Sequence, residues 1–260
     1  MIANVTTDDG IKLHVHVAGR DDAPALLLSN SLGTRLEMWD AQAPALTDKF
    51  RLIRYDSRGH GRSAVPDHGY TIERLGEDAL QVLDALDVQS ARFCGLSMGG
   101  MVGLWLASHA PDRVQRLVLA NTAAQLGPIE MWDARIESVR TGGMAEIAKG
   151  VIERWFTPTF RASAPSAVMT IYDALLATSA VGYAGCCSAI RDMDQRARLG
   201  SIRAPTLVIG GVHDPATPIA KSREIADAIP GARLVVLDAA HLSNIERRDE
   251  FTAAMSDFLT

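Results

Sequence analysis

The segment around Ser97 constrains the fold of this chain most, because a short Gly-rich sequence here separates an apolar strand-like run from an apolar helix-like run. Gly95-Leu96-Ser97-Met98-Gly99 has the pattern G-x-S-x-G. This pattern is typical of a nucleophile elbow, a sharp turn from a strand into a helix at which glycines leave room for a strained serine. The sequence therefore predicts Ser97 as a nucleophile. The alternative is that the segment is only a Gly-rich connection between a buried strand and a buried helix, where Ser97 fits because it is small.

Short apolar runs recur along the chain and alternate with polar loops. Ala25 to Ser29 leads into a loop at 30–34, and Phe50 to Tyr55 leads into a Gly-rich turn at 56–63. A helical pattern follows from about Thr71 to Leu86. Three more strand-like runs lie at 114–120, 204–210 and 233–237. This alternation predicts an α/β fold with a mostly parallel central sheet flanked by helices.

The N-terminal part predicts a half-exposed strand, because apolar and polar residues alternate from Ile11 to Val17 after the turn Asp8-Asp9-Gly10. On this pattern His14 and His16 lie on the solvent face. A metal site at this pair is disfavoured, since no carboxylate or cysteine stands nearby at ligand spacing.

The character of the chain changes between residues 122 and 194, where strand-like runs disappear and helical segments are interrupted by glycine and proline. We interpret 122–194 as a helical cap inserted into a core formed by 1–121 and 195–260. Large aromatic residues of such an insertion, Trp132 among them, often line a substrate pocket. The alternative is that they only pack the cap onto the sheet.

A nucleophilic serine needs an imidazole to accept its proton and a carboxylate to hold that imidazole. In enzymes with this elbow the acid follows a late strand and the histidine follows the last strand. Asp214 and His241 meet this requirement. Asp238 is a weaker candidate because it lies too close to His241 in sequence, and His213 fits the loop of the acid better than the position of the base.

The reaction also needs hydrogen-bond donors for the oxyanion that forms during attack. One is expected from the backbone N–H of Met98, which follows the nucleophile, and the other from the loop after the early strand, where Leu32 is in register.

Composition limits the possible partners and location. Hydrophobic residues make up 47% of the chain and charged residues 22%, and the net charge of −5 argues against nucleic acid or an anionic membrane as a partner. Cys94, Cys186 and Cys187 form neither a disulfide framework nor a zinc pattern. The stretch from Phe93 to Ala110 is interpreted as buried core rather than a membrane span. With no export signal at the N-terminus, the expected location is the cytoplasm.

Together these motifs resemble the α/β hydrolases with a helical cap, and in particular the 3-oxoadipate enol-lactonases. The resemblance covers nearly the whole chain. The elbow and the triad are common to the superfamily, whereas the Asn-Ser-Leu-Gly-Thr loop and the double-cysteine segment are narrower signals. The motifs that carry it are Ser29 to Thr34, Asp56 to Ser63, Ser97 to Gly100 and Gly185 to Asp192.

The resemblance implies hydrolysis of 3-oxoadipate enol-lactone to 3-oxoadipate through an acyl-enzyme, in the β-ketoadipate pathway of aromatic-compound catabolism. It implies Ser97, Asp214 and His241 as the catalytic triad and the amides of Leu32 and Met98 as the oxyanion hole. No metal or organic cofactor is expected.

Recognition of this small lactone requires a cation or several donors, because its carboxymethyl arm is ionised at neutral pH. Arg191 and Arg35 are the predicted partners of the arm, with Trp132 as an apolar wall. The alternative is that both arginines pair with nearby acids such as Asp192 and Glu37.

Two other functions remain open at this point. A carboxylesterase or a carbon–carbon bond hydrolase on the same scaffold would share every catalytic residue. A ligand-binding receptor that keeps the triad without turnover is disfavoured by the completeness of the catalytic set.

Overall fold

The computed structural model describes all 260 residues, and its centre is a single eight-stranded sheet. The strands are β1 (Ile2–Thr6), β2 (Lys12–Ala18), β3 (Ala25–Ser29), β4 (Arg51–Tyr55), β5 (Ala91–Leu96), β6 (Val114–Ala120), β7 (Thr206–Gly211) and β8 (Arg233–Leu237). Their spatial order is β1-β2-β4-β3-β5-β6-β7-β8. β1 and β2 pair antiparallel, β2 and β4 pair antiparallel, and all other neighbours are parallel. The predicted α/β fold is thus confirmed.

The remaining regular structure is helical. The helices are α1 (Ala43–Thr47), α2 (Ile72–Ala85), α3 (Met98–His109), α4 (Ile129–Gly142), α5 (Met144–Trp155), α6 (Pro158–Ser163), α7 (Pro165–Leu176), α8 (Ala180–Asp192), α9 (Ile219–Ala228), α10 (Ser243–Glu246) and α11 (Arg248–Leu259). Short 3₁₀ helices lie at Leu36–Trp39, Pro111–Arg113 and Arg196–Ser201. Helices α1, α2, α3, α9 and α11 pack against strands of the sheet, whereas α4 to α8 follow one another between β6 and β7.

The sequence of α2 shows how these elements form. Its N-cap Thr71 accepts a hydrogen bond from the backbone N–H of Arg74 at 3.2 Å, which satisfies one of the free donors at the helix start. Leu75, Ala79 and Val82 recur at helical spacing and are buried. The helix therefore covers the sheet with one apolar face. Its first and last residues lie close to the limits predicted from the sequence.

The strands nearest the elbow are buried on both faces, as is usual when helices cover both sides of a parallel sheet. Every residue of β7 is buried, and so are all but one of the residues in β3 and in β5. The carboxyl ends of these strands lie at one edge of the sheet, where α/β folds place their ligand sites.

The prediction for His14 was wrong. His14 is only 7% exposed, and its backbone N–H donates to the Ser63 hydroxyl at 2.9 Å. The loop after β4 covers this part of the strand, a tertiary contact that alternation along β2 does not reveal. His16 is partly exposed, as predicted.

The helical segment and the core approach each other very closely at one point. The backbones of Gly59 and Gly182 touch, and a Cβ at Gly182 would lie 2.1 Å from the Gly59 carbonyl oxygen. Only glycine fits at such a contact.

No single helix of the chain is long and apolar enough to cross a membrane, although the sharply bent pair α7 and α8 reaches the required length and apolarity when taken together.

Candidate active site

Ser97 lies at the sharp turn between β5 and α3, with φ of 57° and ψ of −116°. A positive φ is strained for a residue with a side chain, so the surroundings must hold it. The Ser97 N–H donates to the Ala120 carbonyl at 2.9 Å, and the Thr122 hydroxyl donates to the Ser97 carbonyl at 2.7 Å. A Cβ at Gly95 would lie 2.0 Å from the Gly99 carbonyl oxygen. The glycines of the motif are therefore required by the close packing of strand and helix.

Asp214 and His241 form a buried pair at the carboxyl ends of the last two strands. Asp214 follows β7 and is 4% exposed, and His241 follows β8 and is 2% exposed. His241 Nδ1 donates to Asp214 Oδ2 at 2.8 Å. Because this bond fixes the proton on Nδ1, it leaves Nε2 as the basic atom of the ring.

Several donors keep the Asp214 carboxylate ionised. The Thr217 hydroxyl and the Asn121 side-chain amide donate to Oδ2 at 2.6 and 2.9 Å, and the backbone N–H groups of Ala216 and Thr217 donate to Oδ1. Burial alone would raise the pKa of Asp214, but the charge of His241 and the hydrogen bonds from His241, Thr217 and Asn121 outweigh it and lower the pKa below 3.8. The carboxylate therefore stays charged and oriented.

The competing acid and base lie elsewhere. Asp238 is exposed and accepts hydrogen bonds from Arg247 at 2.6 Å and from His213 Nε2 at 2.8 Å. His213 is itself 54% exposed. Neither side chain forms a hydrogen bond or an ion pair with His241, and both belong to a surface cluster with Arg247.

The loop after β3 has one free amide beside the elbow. The N–H of Gly33 donates to His60 Nε2 at 2.8 Å, and the carbonyl of Asn30 accepts from Gly99 N–H at 2.9 Å. The N–H of Leu32 makes no hydrogen bond within the chain. Met98 is the first residue of α3, so its N–H has no partner in the helix. Two backbone donors are therefore available at the helix N-terminus and in the loop held against it.

His60 lies in the Gly-rich turn after β4 and contacts the loop that carries Leu32. Its Nε2 accepts the Gly33 N–H, so the proton of the ring is on Nδ1, which lies 3.3 Å from the Arg58 carbonyl oxygen. Complete burial lowers the pKa of His60 to about 4. The ring is thus neutral and supports the loop that carries Leu32.

Ser97 and His241 share one cavity of about 100 Å³. Leu32 and Trp132 also line it, and its walls contain no aspartate or glutamate. The Ser97 hydroxyl makes no hydrogen bond within the chain, and such contacts often tighten only when substrate is present. The residues that line the cavity are Ser31, Leu32, Ser97, Met101, Leu126, Met131, Trp132, Arg135, Val151, Arg154, Trp155, Tyr183, Ile190, Pro215, Ala216, Thr217 and His241. A larger open groove of about 410 Å³ lies nearby but contains neither Ser97 nor His241.

The structure does not place Arg35 or Arg191 at this cavity. Arg191 pairs with Asp192 at 2.7 Å and with Asp133 at 2.8 Å, and Arg35 lies 3.2 Å from Glu37. Pairing with nearby acids, the alternative considered for both, is what is observed. Trp132 does line the cavity, as expected, and its Nε1 donates to the Leu126 carbonyl oxygen at 2.8 Å.

Two other arginines, Arg135 and Arg154, line the cavity and were missed from the sequence. Arg135 lies one helical turn after Trp132 on α4, and Arg154 directly precedes Trp155 on α5. The sequence did contain a signal that could have identified them. Each lies close to a tryptophan of the helical segment, and Trp132 was already predicted to line the pocket.

The loop that carries His241 is tied to the helical segment. The Leu242 N–H donates to the Trp155 carbonyl oxygen at 3.0 Å. Glu246 accepts from the Ala240 N–H at 2.9 Å through Oε2, and its Oε1 accepts from the Thr157 hydroxyl. These contacts connect the end of α5 to the residues on both sides of His241.

Comparison with known proteins is consistent with this geometry. The family described as alpha/beta hydrolase fold matches residues 24–142 and 157–248, and the chain therefore belongs to the α/β-hydrolase fold family. Members of this family with a nucleophile elbow use the serine, acid, histidine order found here.

Within the family, the chain is similar to 3-oxoadipate enol-lactonases, and the resemblance inferred from its motifs is confirmed. It is 43% identical over 249 residues to 3-oxoadipate enol-lactonase 2 of Acinetobacter baylyi, covering 96% of this chain and 93% of the relative. The crystal structure of the enol-lactonase from Burkholderia xenovorans superimposes with a TM-score of 0.97 at 46% identity, covering 99% of each chain. A hydrolase from Pseudomonas aeruginosa reaches a TM-score of 0.97 at 50% identity, covering 99% of this chain and 98% of the other. The chain is thus an enzyme of the ester-hydrolase class.

Proposed function

We propose that this chain hydrolyses 3-oxoadipate enol-lactone to 3-oxoadipate, with Ser97 as nucleophile, His241 as general base and Asp214 as the acid that orients His241. The observation that carries the proposal is the Asp214–His241 hydrogen bond of 2.8 Å at the wall of a cavity that Ser97 also lines. The substrate is inferred from the similarity to lactonases of that name.

In this mechanism His241 Nε2 accepts the proton of Ser97 as the hydroxyl attacks the lactone carbonyl. The amides of Leu32 and Met98 then donate to the oxyanion of the tetrahedral intermediate. The ring oxygen leaves as an enolate, which departs more easily than an alkoxide and needs little acid catalysis. It then takes the proton from His241 Nε2 and becomes an enol, so His241 is neutral again. The result is an acyl-enzyme on Ser97 whose other end carries the enol.

Water completes the reaction. His241 removes a proton from water, which attacks the acyl-enzyme. The bond to Ser97 Oγ breaks, His241 returns the proton to that oxygen, and the acid is released, while the enol tautomerises to the ketone. The product is a keto acid, and the balance requires only one water and no redox partner. This chemistry fits a role in the catabolism of aromatic compounds by the β-ketoadipate pathway, in the cytoplasm and without a cofactor.

The primary test uses the variant Ser97→Ala, which removes one oxygen and leaves the rest of the site in place. Turnover of the enol-lactone, followed spectrophotometrically, should fall by at least about 10⁴-fold. The melting temperature should stay near that of the parent. Ser108→Ala, in the same helix but outside the cavity, serves as the control and should keep its activity. Retained activity in Ser97→Ala would remove Ser97 from the mechanism.

Specificity is tested by comparing kcat/KM for the enol-lactone with kcat/KM for a short-chain aryl ester. The lactone should be strongly preferred. Preference for the aryl ester would instead assign the chain to the carboxylesterases and leave the catalytic residues unchanged.

A further inference from the structure

The cavity beside Ser97 has an uneven distribution of charge. Arg135 from α4 and Arg154 from α5 line it, whereas no aspartate or glutamate does. The protein as a whole carries a net charge of −5. A positively charged cavity in an acidic protein is therefore a local feature of the site rather than a result of composition.

Arg154 has no partner for its charge within the chain. Its guanidinium group makes no hydrogen bond and no ion pair, although the side chain is partly buried. Arg191 of the same helical segment shows the ordinary arrangement, since it binds two carboxylates. Burying a charge without a partner costs free energy unless a ligand supplies one. The lack of a partner at Arg154 thus points to an anionic ligand.

Arg135 supports the same conclusion. It forms no ion pair, and its guanidinium carbon lies 5.0 Å from the centre of the Trp132 ring, a cation–π arrangement that holds the group at the cavity wall. Burial lowers the pKa of Arg154, and the charge of Arg135 lowers it further. A bound carboxylate would relieve both effects while the two guanidinium groups remain charged.

We propose that Arg154, supported by Arg135, forms an anion subsite that binds the carboxylate arm of the substrate and selects lactones that carry such an arm. The inference rests on the proposed function for the identity of the lactone. Arginine suits this role because its planar group can donate two parallel hydrogen bonds to a carboxylate. The apolar residues of the cavity wall, Trp132 among them, contact the rest of the ligand.

The main experiment compares the free acid of the enol-lactone with its uncharged methyl ester. Arg154→Met should raise KM for the acid by about 10- to 100-fold, the loss expected when a charge-assisted contact is removed. Arg135→Met should produce a smaller increase. KM for the methyl ester should change by less than about threefold in either variant. Arg191→Met is the matched control, because this arginine lies in the same helical segment but outside the cavity, and it should behave like the parent with both substrates.

A second measurement does not depend on the lactone being the substrate. Adipate, a dicarboxylate of similar length, should inhibit hydrolysis of a neutral aryl ester competitively and more strongly than adipamide, its uncharged counterpart. Arg154→Met should abolish this preference for adipate, and Arg154→Lys should keep part of it. Melting temperatures of all variants show whether each is folded.

The two measurements separate the possible failures. If the parent hydrolyses the aryl ester but not the enol-lactone, the proposed function is wrong, and loss of adipate preference in Arg154→Met still supports the anion subsite. If adipate and adipamide inhibit equally, or if a folded Arg154→Met keeps the preference, the subsite is refuted even when the enol-lactone is the substrate. Equal losses for acid and ester would refute it as well, because Arg154 would then shape the cavity without binding charge.

Discussion

His60 makes acid sensitivity the most informative property to measure in this protein. Its Nε2 accepts the N–H of Gly33, next to the amide of Leu32, and the ring is fully buried with a pKa of about 4. A proton on Nε2 would remove the acceptor and place a charge in an apolar environment. The perturbation is therefore a decrease in pH, compared between the parent and His60→Gln, which keeps an acceptor of similar size but cannot be protonated.

The size of the effect follows from linkage between protonation and folding. In the unfolded chain the pKa of His60 is about 6.5, so below pH 6.5 the unfolded state takes up a proton that the folded state does not. This contribution to stability is fully present above pH 6.5 and is lost as the pH falls towards 4. At about 1.4 kcal/mol per pH unit, the loss reaches about 2 kcal/mol at pH 5.

The assay is urea denaturation of the parent and His60→Gln at pH 7.5 and at pH 5. The difference in the free energy of unfolding between the two proteins should shift by about 2 kcal/mol in favour of the variant at pH 5. Groups common to both proteins cancel in this comparison. His68→Gln, which removes an exposed histidine, should follow the parent at both values. A constant difference between the parent and His60→Gln would show that His60 titrates alike in both states, and the reasoning would fail.

Four further variants test the site and the contacts that support it. Asp214→Asn should reduce kcat by about 10⁴-fold, whereas Asp238→Asn should change it by less than about threefold; the reverse result would exchange the roles of the two acids. Gly99→Ala should destabilise the protein by more than about 2 kcal/mol in urea denaturation, since its Cβ would lie 2.2 Å from a carbonyl oxygen at the end of β3. Asp78→Ala should cost about 3 kcal/mol, because the buried guanidinium group of Arg58 would lose a buried partner at 2.6 Å. An unchanged urea midpoint in either would contradict the contact concerned.

Most of the sheet was predictable because its strands are specified locally, although β1 (Ile2–Thr6) was not predicted. Runs such as Ala25 to Ser29 and Val114 to Ala120 are apolar and bounded by polar loops, and they form β3 and β6 with the predicted limits. The elbow was predictable for a related reason, since its two glycines are needed where strand and helix touch. Asp214 and His241 could be placed from chain order alone, and the structure brings them within hydrogen-bonding distance.

The arginines that line the cavity were not predictable in this way. Arg191 and Arg154 both lie on amphipathic helices of the inserted segment, and sequence spacing does not show which of them turns towards Ser97. That depends on how α4, α5 and α8 pack together, which is decided by tertiary contacts. His14 was misplaced for the same reason, because the covering loop is distant in sequence. Long-range packing, rather than local pattern, therefore determined each error.

The attachment of the His241 loop to the end of α5 limits how this protein can be modified. The position of His241, the proposed general base, does not depend on the core alone, because Trp155 and Thr157 supply partners to Leu242 and Glu246 on its loop. An engineered protein that receives the helices of another family member would have to reproduce the position of the Trp155 carbonyl oxygen and the Thr157 hydroxyl beside His241, even if Ser97, Asp214 and His241 were all retained. A chimaera intended to change specificity should therefore place its second junction before Trp155, so that Trp155 and Thr157 stay with the native core.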